Sequence, residues 1–314
     1  MKEAPLTPET HAEPAPMQIG LVLPIAEGEN GTLSYPELRA YALRAEARGF
    51  DSLWVVDHLL FRFPERPTRG IWECWSVLAA LAEATERLTL GTLVACTAFR
   101  NPAVLAKQAA SVDAISGGRL ILGLGAGWHQ PEFDAFGIPF DHTVSRFDEA
   151  LQIIVPLLRE GRVDFRGRYY RAENCELRPG PARPGGPPIL IGAFKPRTLA
   201  LTARHADLWN TCWLGRPDLL PERRAALEAA CVAEGRDPAS LGVTVGVSVA
   251  GPGHTRTDLD PAKVLAGSPA AVADGLLAYQ AQGVRHVICS LEPATLEAVD
   301  WLAEALPSVS KSQI

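Results

Sequence analysis

Residues 52–58 read Ser-Leu-Trp-Val-Val-Asp-His. Leu53 to Val56 are apolar without alternation, and the run then stops on a carboxylate and an imidazole. A short strand that is apolar on both faces belongs in a parallel sheet covered on both sides. Just upstream, Ser34-x-x-Glu37 is a capping box. The helix it opens carries Leu38, Tyr41, Ala42 and Ala45 on one face and stops at Gly49. Before that helix, residues 19–24 (IGLVLP) make another apolar run. The unit is strand, helix, strand.

The same unit recurs along the chain. Further runs lie at 88–95 (LTLGTLVA), 120–125 (LILGLG), 188–192 (PILIG), 207–211 (DLWNT), 243–249 (VTVGVSV) and 284–290 (VRHVICS). Helical patterns are predicted near 74–84, 101–115, 144–160, 196–205, 217–234 and 293–305. One more begins at Ser268-Pro269, a cap followed by a first-turn proline, and ends at Gly283. Eight strands alternating with eight helices predict an α/β fold, the (β/α)8 TIM barrel, and eight parallel units favour closure over a doubly wound open sheet. The long gap between strands 4 and 5 predicts an insertion region over the C-terminal mouth. Residues 162–170 (RVDFRGRYY) alternate around a glycine as a hairpin does, and 178–188 are too rich in proline for helix or ladder. A smaller insertion spans 251–267. Residues 1–16, rich in Pro, Glu, Thr and Ala, read as a disordered N-terminal tail, 17–306 as one barrel domain, and 307–314 as a C-terminal tail.

The chain has 314 residues, 47% hydrophobic and 21% charged, which excludes a largely disordered protein. A net charge of −6 speaks against nucleic-acid binding, and no apolar run reaches the roughly 18 residues of a membrane span. Six cysteines without a C-x-x-C pair read as separate thiols of a reducing, cytoplasmic compartment. No P-loop, H-E-x-x-H or G-x-S-x-G is present, and the seven histidines show no metal-ligand spacing.

Barrel enzymes place their chemistry at the C-terminal ends of the strands. Those ends hold Asp57-His58, then Ala95-Cys96, then Gly125-Ala126-Gly127-Trp128. They continue with Gly192-Ala193, followed by Lys195, Arg197 and Thr198. Small residues, an imidazole and cations suit a flat aromatic cofactor bearing a phosphate. Gly123-x-Gly125-x-Gly127 is not a dinucleotide fingerprint, because its third glycine comes one residue early; a tight turn explains it as well. His58 reads either as a proton donor or as a histidine held in place by Asp57. Lys195, Arg197 and Thr198 open a helix, where a bound phosphate or plain solvation accounts for the charge.

Together with Arg48-Gly-Phe-Asp-Ser, Phe99-Arg-Asn-Pro102, Ser116-Gly-Gly-Arg119, Leu122-Gly-Leu-Gly-Ala-Gly-Trp128, Glu132 and Pro187-Pro-Ile-Leu-Ile-Gly192, these residues resemble the luciferase-like monooxygenase superfamily, in particular its F420-dependent oxidoreductase branch. The resemblance runs from about Met17 to Leu306. It implies F420, or alternatively FMN, in the barrel mouth, with His58 near the ring as the catalytic group. The implied cofactor contacts are Asp57, His58, Ala95, Cys96, Gly125, Ala126, Gly127, Trp128, Gly192, Ala193, Lys195, Arg197 and Thr198. It also implies a non-proline cis peptide at the end of strand three, expected at Ala95-Cys96. The family's usual Gly-Gly after strand five is Gly192-Ala193 here. Some dehydrogenases of the branch carry Glu at the position of Trp128 and Trp at that of Arg62, so sugar-phosphate dehydrogenase activity is not implied.

The expected function is hydride transfer between F420 and a small-molecule substrate. The alternatives are an FMN-dependent monooxygenase fed by a partner reductase, and a flavin-binding protein without turnover. A homodimer is expected, with Trp72, Trp75 and Leu78 as candidates for its patch.

Overall fold

Gln18 pairs with His286, and Gly20 pairs with Ser52, so the first strand is hydrogen-bonded both to the last and to the second. A computed structural model describes residues 17–28, 31–255 and 260–311, and the expected N-terminal tail lies outside them. In chain order the elements are β1 (Gln18–Val22), α1 (Tyr35–Ala47), β2 (Ser52–Val55), α2 (Cys74–Ala84), β3 (Thr89–Thr92), β4 (Ala95–Cys96), α3 (Pro102–Ile115) and β5 (Leu120–Gly125). There follow α4 (Gln130–Phe136), α5 (Thr143–Glu160), β6 (Arg162–Arg166), β7 (Arg171–Glu176), β8 (Ile189–Gly192), α6 (Pro196–His205) and β9 (Leu208–Cys212). The chain closes with α7 (Leu220–Ala233), β10 (Gly242–Ala250), β11 (Val264–Leu265), α8 (Pro269–Gln280), β12 (His286–Glu292), α9 (Leu296–Ala303) and α10 (Leu306–Lys311). The order β12-β1-β2-β3-β5-β8-β9, completed by β10 against both β9 and β12, is a closed parallel barrel of eight strands.

Local chemistry builds these elements as expected. The Glu37 carboxylate accepts from the Ser34 N–H and hydroxyl, and Leu38, Tyr41, Ala42 and Ala45 are buried. Ser268 caps α8, which buries Val272, Leu276 and Tyr279.

The barrel has two cores. One lies between strands and helices. The other fills the interior and is made of Trp54, Leu93, Ile121, Leu190 and Ile288. Trp54 is fully buried, and its indole takes the space that side chains at Gly20 and Gly91 would need. Beside it lies a polar layer. Trp54 Nε1 donates to Ser52 Oγ at 2.7 Å, which lies 2.6 Å from His286 Nε2, and Asn210 Nδ2 donates to Thr244 Oγ1 at 2.8 Å. Burial pushes the His286 imidazole down to about 3, so the ring is neutral.

The structure departs from the expectations at the third apolar run, at the C-terminal segment and at the candidate dimer patch, and agrees with them at the hairpin. The third apolar run is two strands, β3 and β4, and the non-proline cis peptide joins Leu93 to Val94 rather than Ala95 to Cys96. The insertion before β8 contains the expected hairpin, β6–β7, which turns at Gly167–Tyr170 and packs along α5. Glu149 of that helix accepts the N–H groups of Arg168, Tyr169 and Tyr170. The expected C-terminal tail is helical from Leu306 to Lys311, with Val309 buried. Trp75 and Leu78 pack into the core and offer no surface to a second copy, while Trp72 is partly exposed and donates to the Leu33 carbonyl.

Candidate active site

Strand alternation carries the barrel interior up to its mouth. From Ile121 it leads to Gly123 and Gly125, from Leu190 to Gly192, from Leu208 to Cys212, from Ile288 to Ser290 and Glu292, and from Trp54 to Val56 and His58. At these upper positions Gly192, Cys212, Ser290, Glu292, Val56 and His58 are half-buried, whereas their neighbours Ile191, Thr211, Leu291, Val55 and Asp57 are buried. The centre of the mouth is therefore lined mainly by small residues, with Glu292 the carboxylate among these upper positions. Val94, just past the cis peptide, rises among them. A Cβ on Gly125 would lie 2.6 Å from a Val94 methyl, and one on Gly192 3.4 Å from both. A shallow bowl of glycine, serine and cysteine with one valine as a ridge is a surface that accepts a flat ring system.

His58 stands on the wall of this bowl. Its Nδ1 lies 2.9 Å from Oε1 of Glu132, whose other oxygen accepts the Leu59 N–H at 2.8 Å. The Glu132 side chain is 1% exposed and that of His58 15%. A carboxylate on Nδ1 fixes the Nδ1–H tautomer and leaves Nε2 as the working nitrogen. Glu132 reaches this position from the first turn of α4, where Pro131 starts the helix.

Aromatic rings surround the imidazole. Phe61 lies 4.5 Å from it, centroid to centroid, and Trp128 5.7 Å away in an edge arrangement. Phe63 and Trp128 both pack on His129, at 4.9 and 5.0 Å. His129 accepts the Arg62 N–H at 3.1 Å, and burial lowers its tendency to protonate, with Glu132 opposing. Trp128 is 62% exposed; Phe194 and Trp213, following the next two strands of the barrel, are exposed as well.

Several expected cofactor contacts are engaged elsewhere. Asp57, one residue before His58, points to the opposite face. It pairs with Arg100 through two bonds, at 2.6 and 3.1 Å, and accepts the Cys96 N–H at 2.9 Å. Burial raises its carboxyl from the ordinary range, and the guanidinium opposes that. Arg100 also binds Glu73, the N-cap of α2, so Asp57 anchors the second strand to the next helix and does not face the mouth. Ala95 and Ala193 are buried in the outer core, and the Ala193 carbonyl accepts from Trp209 Nε1. Cys96 is buried, with its thiol pushed up to about 12. Gly127 has φ +81, and the space where its side chain would stand is filled by Phe133 and Cys96, so it serves the turn. Ala126 is half-buried against the outer core.

Gly125, Gly192, Val94 and His58 do line the bowl. Lys195, Arg197 and Thr198 open α6 beside it. There the Thr198 hydroxyl donates to the Lys195 carbonyl, Arg197 Nη2 lies 3.1 Å from Ser145 Oγ, and the Lys195 ammonium stands over the Phe194 ring at 5.9 Å. The amino end of a ten-residue helix with two cations is a place for an anionic group. Val94 and Glu132 are absent from the expected set of contacts. Glu132 carried a signal, a carboxylate in the first turn of a helix just past a strand end, but nothing local tied it to His58.

The profile of the family described as luciferase-like monooxygenase matches residues 17–257. The chain is similar to an F420-dependent hydroxymycolic acid dehydrogenase of Mycobacterium tuberculosis, 33% identical over 75% of this chain and 63% of that protein. It is also similar to an F420-dependent glucose-6-phosphate dehydrogenase of Intrasporangium calvum, 36% identical over 54% of this chain and 52% of that one. The pyrimidine monooxygenase RutA of Methylobacterium radiotolerans is 34% identical over 64% and 56%. The alignments thus span 52–63% of these relatives' own lengths. The fold matches that of an F420-dependent secondary alcohol dehydrogenase with a TM-score of 0.77 at 19% identity, covering 94% of this chain and 99% of that one.

Proposed function

The chain belongs to the luciferase-like monooxygenase family, and on that premise we propose that it is an oxidoreductase moving a hydride between coenzyme F420 and a small organic substrate. The observation that carries the proposal is the His58–Glu132 pair at the wall of a bowl lined by small residues. F420-dependent dehydrogenases among the similar proteins support the choice of cofactor.

In this reading Gly125, Gly192, Cys212, Ser290 and Val94 form the bed for the cofactor ring, and Lys195 and Arg197 at the start of α6 meet its anionic portion. When bound, the deazaflavin supplies a hydride-accepting or hydride-donating carbon. The protein's own part is proton handling and placement. His58 Nε2 takes the proton of a substrate hydroxyl, or returns one to a carbonyl oxygen, while Glu132 holds the ring and offsets the charge of the imidazolium. Phe61, Phe63 and Trp128 keep bulk water from the imidazole.

A monooxygenase using reduced FMN is the second reading, favoured by the similarity to a pyrimidine monooxygenase. It would require a partner reductase. Titrating the purified protein with F420 and with FMN tests the choice: tight FMN binding without F420 binding reverses it. A homodimer in the cytoplasm completes the proposal, and light scattering that reports a particle of single-chain mass removes the dimer.

A further inference from the structure

We propose that the wall above His58 binds the apolar body of an uncharged substrate, an aryl- or alkyl-substituted alcohol or its ketone, and that Trp128 sets the size of body accepted. The proposal rests on the oxidoreductase reading and narrows its substrate class.

Three observations carry it. First, the imidazole that would meet the reacting oxygen is bordered by Phe61 and Trp128, with Phe63 and His129 continuing the wall. A group held at Nε2 therefore has its remainder against ring faces and edges. Second, the arginines described on that side have contacts of their own. Arg62 Nε donates to Thr68, and Arg69 lies over Phe61 at 5.4 Å and reaches the Glu27 carbonyl. The paired Glu132 carboxylate is the nearest charge to His58 and would repel an anion. Third, Trp128 is 62% exposed although its neighbours hold it in place by contacts on two sides. An indole fixed beside a reacting imidazole with most of its surface open is a ready platform for an apolar ligand, and its continuity with His58 says which ligand.

Among the described residues the wall offers ring surface rather than charge, so an apolar body complements it better than a phosphorylated or polyhydroxylated one. A phosphate would need a free cation beside His58, and a sugar would need several hydrogen-bonding side chains. Lys195 and Arg197 stand after β8, on the side assigned to the cofactor.

The test uses the purified chain, 1-phenylethanol and acetophenone as probes, and glycerol 3-phosphate as the charged comparison. Saturation-transfer NMR should show both probes bound through their ring protons, with no displacement by glycerol 3-phosphate. Trp128→Ala should weaken probe binding about tenfold or more at unchanged melting temperature. Val232→Ser, at an exposed site at the far end of α7, should leave it unaltered. His58→Asn should retain binding of the apolar body. No saturation transfer, equal affinity in the Trp128→Ala protein, or displacement by glycerol 3-phosphate each overturns the proposal. A parallel F420 titration separates the two readings. Probe binding that depends on Trp128 without F420 binding supports the apolar wall and rejects the F420 assignment, whereas F420 binding with Trp128-independent probe affinity does the reverse.

Discussion

Nδ1 of His58 and Oε1 of Glu132 lie 2.9 Å apart, although 74 positions separate them in sequence. The contact spans the barrel strand between β2 and β5. It orients the imidazole, and it also satisfies a carboxylate that is almost wholly buried.

That double duty changes how His58 should be probed. His58→Ala removes the nitrogen proposed to handle the proton and leaves Glu132 short of a donor, at a cost of about 1–3 kcal/mol in stability. His58→Asn places an amide N–H where Nδ1–H stood. It should keep the melting temperature within a degree or two of the parent while turnover falls about 10²–10⁴-fold. Turnover that survives in the Asn protein removes His58 from the chemistry.

Asp57 should behave in the opposite way. Asp57→Asn breaks a buried ion pair and leaves Arg100 partly uncompensated, which costs about 3–5 kcal/mol. Per folded molecule, cofactor affinity should be unchanged. Chemical denaturation alongside a binding titration checks both halves.

The glycines of the mouth divide by what stands opposite. A methyl on Gly123 would overlap the Thr92 carbonyl, so Gly123→Ala should fail to fold or lose several kcal/mol. On Gly192 it meets only Val94 methyls at 3.4 Å. Gly192→Ala should fold normally and bind the cofactor about tenfold or more weakly, because its methyl occupies the bed. Circular dichroism and a cofactor titration distinguish the two.

His286 predicts a pH dependence. Its folded-state value, about 3, lies below the unfolded value near 6.5. The unfolded chain therefore binds the proton first as pH falls. The contribution is complete above about pH 6.5 and declines by about 1.4 kcal/mol per pH unit as pH drops toward the folded value. Urea unfolding between pH 6.5 and 5, before most carboxylates protonate, should show this slope, and His286→Asn should reduce it.

The fold was legible because most barrel strands are largely apolar on both faces and helices such as α1 and α8 open on a readable cap. Trp54 with Val55, or Ile121 with Leu122, can be read without knowing the partners. The site was legible only where position along a strand decides it, as for His58. Asp57 was grouped with His58 by adjacency, yet period-two alternation sends consecutive residues to opposite faces, and the same rule moves Ala193 away from Gly192. Glu132 and Val94 escaped for another reason. One is paired through a contact 74 positions away, and the other is turned into the mouth by a break inside an apolar run that looks continuous in sequence.

The barrel interior is plugged below the mouth by Trp54, Leu93, Ile121, Leu190 and Ile288. With its base sealed, a barrel of this kind is entered from the mouth. Reactants that meet inside it arrive and depart by the same route, so whichever settles deeper must enter first and leave last. For a ring lying on the bed beneath a substrate held at the wall, this imposes an ordered sequence of arrivals and departures. Excess substrate would then slow the exchange of the ring by standing in its way.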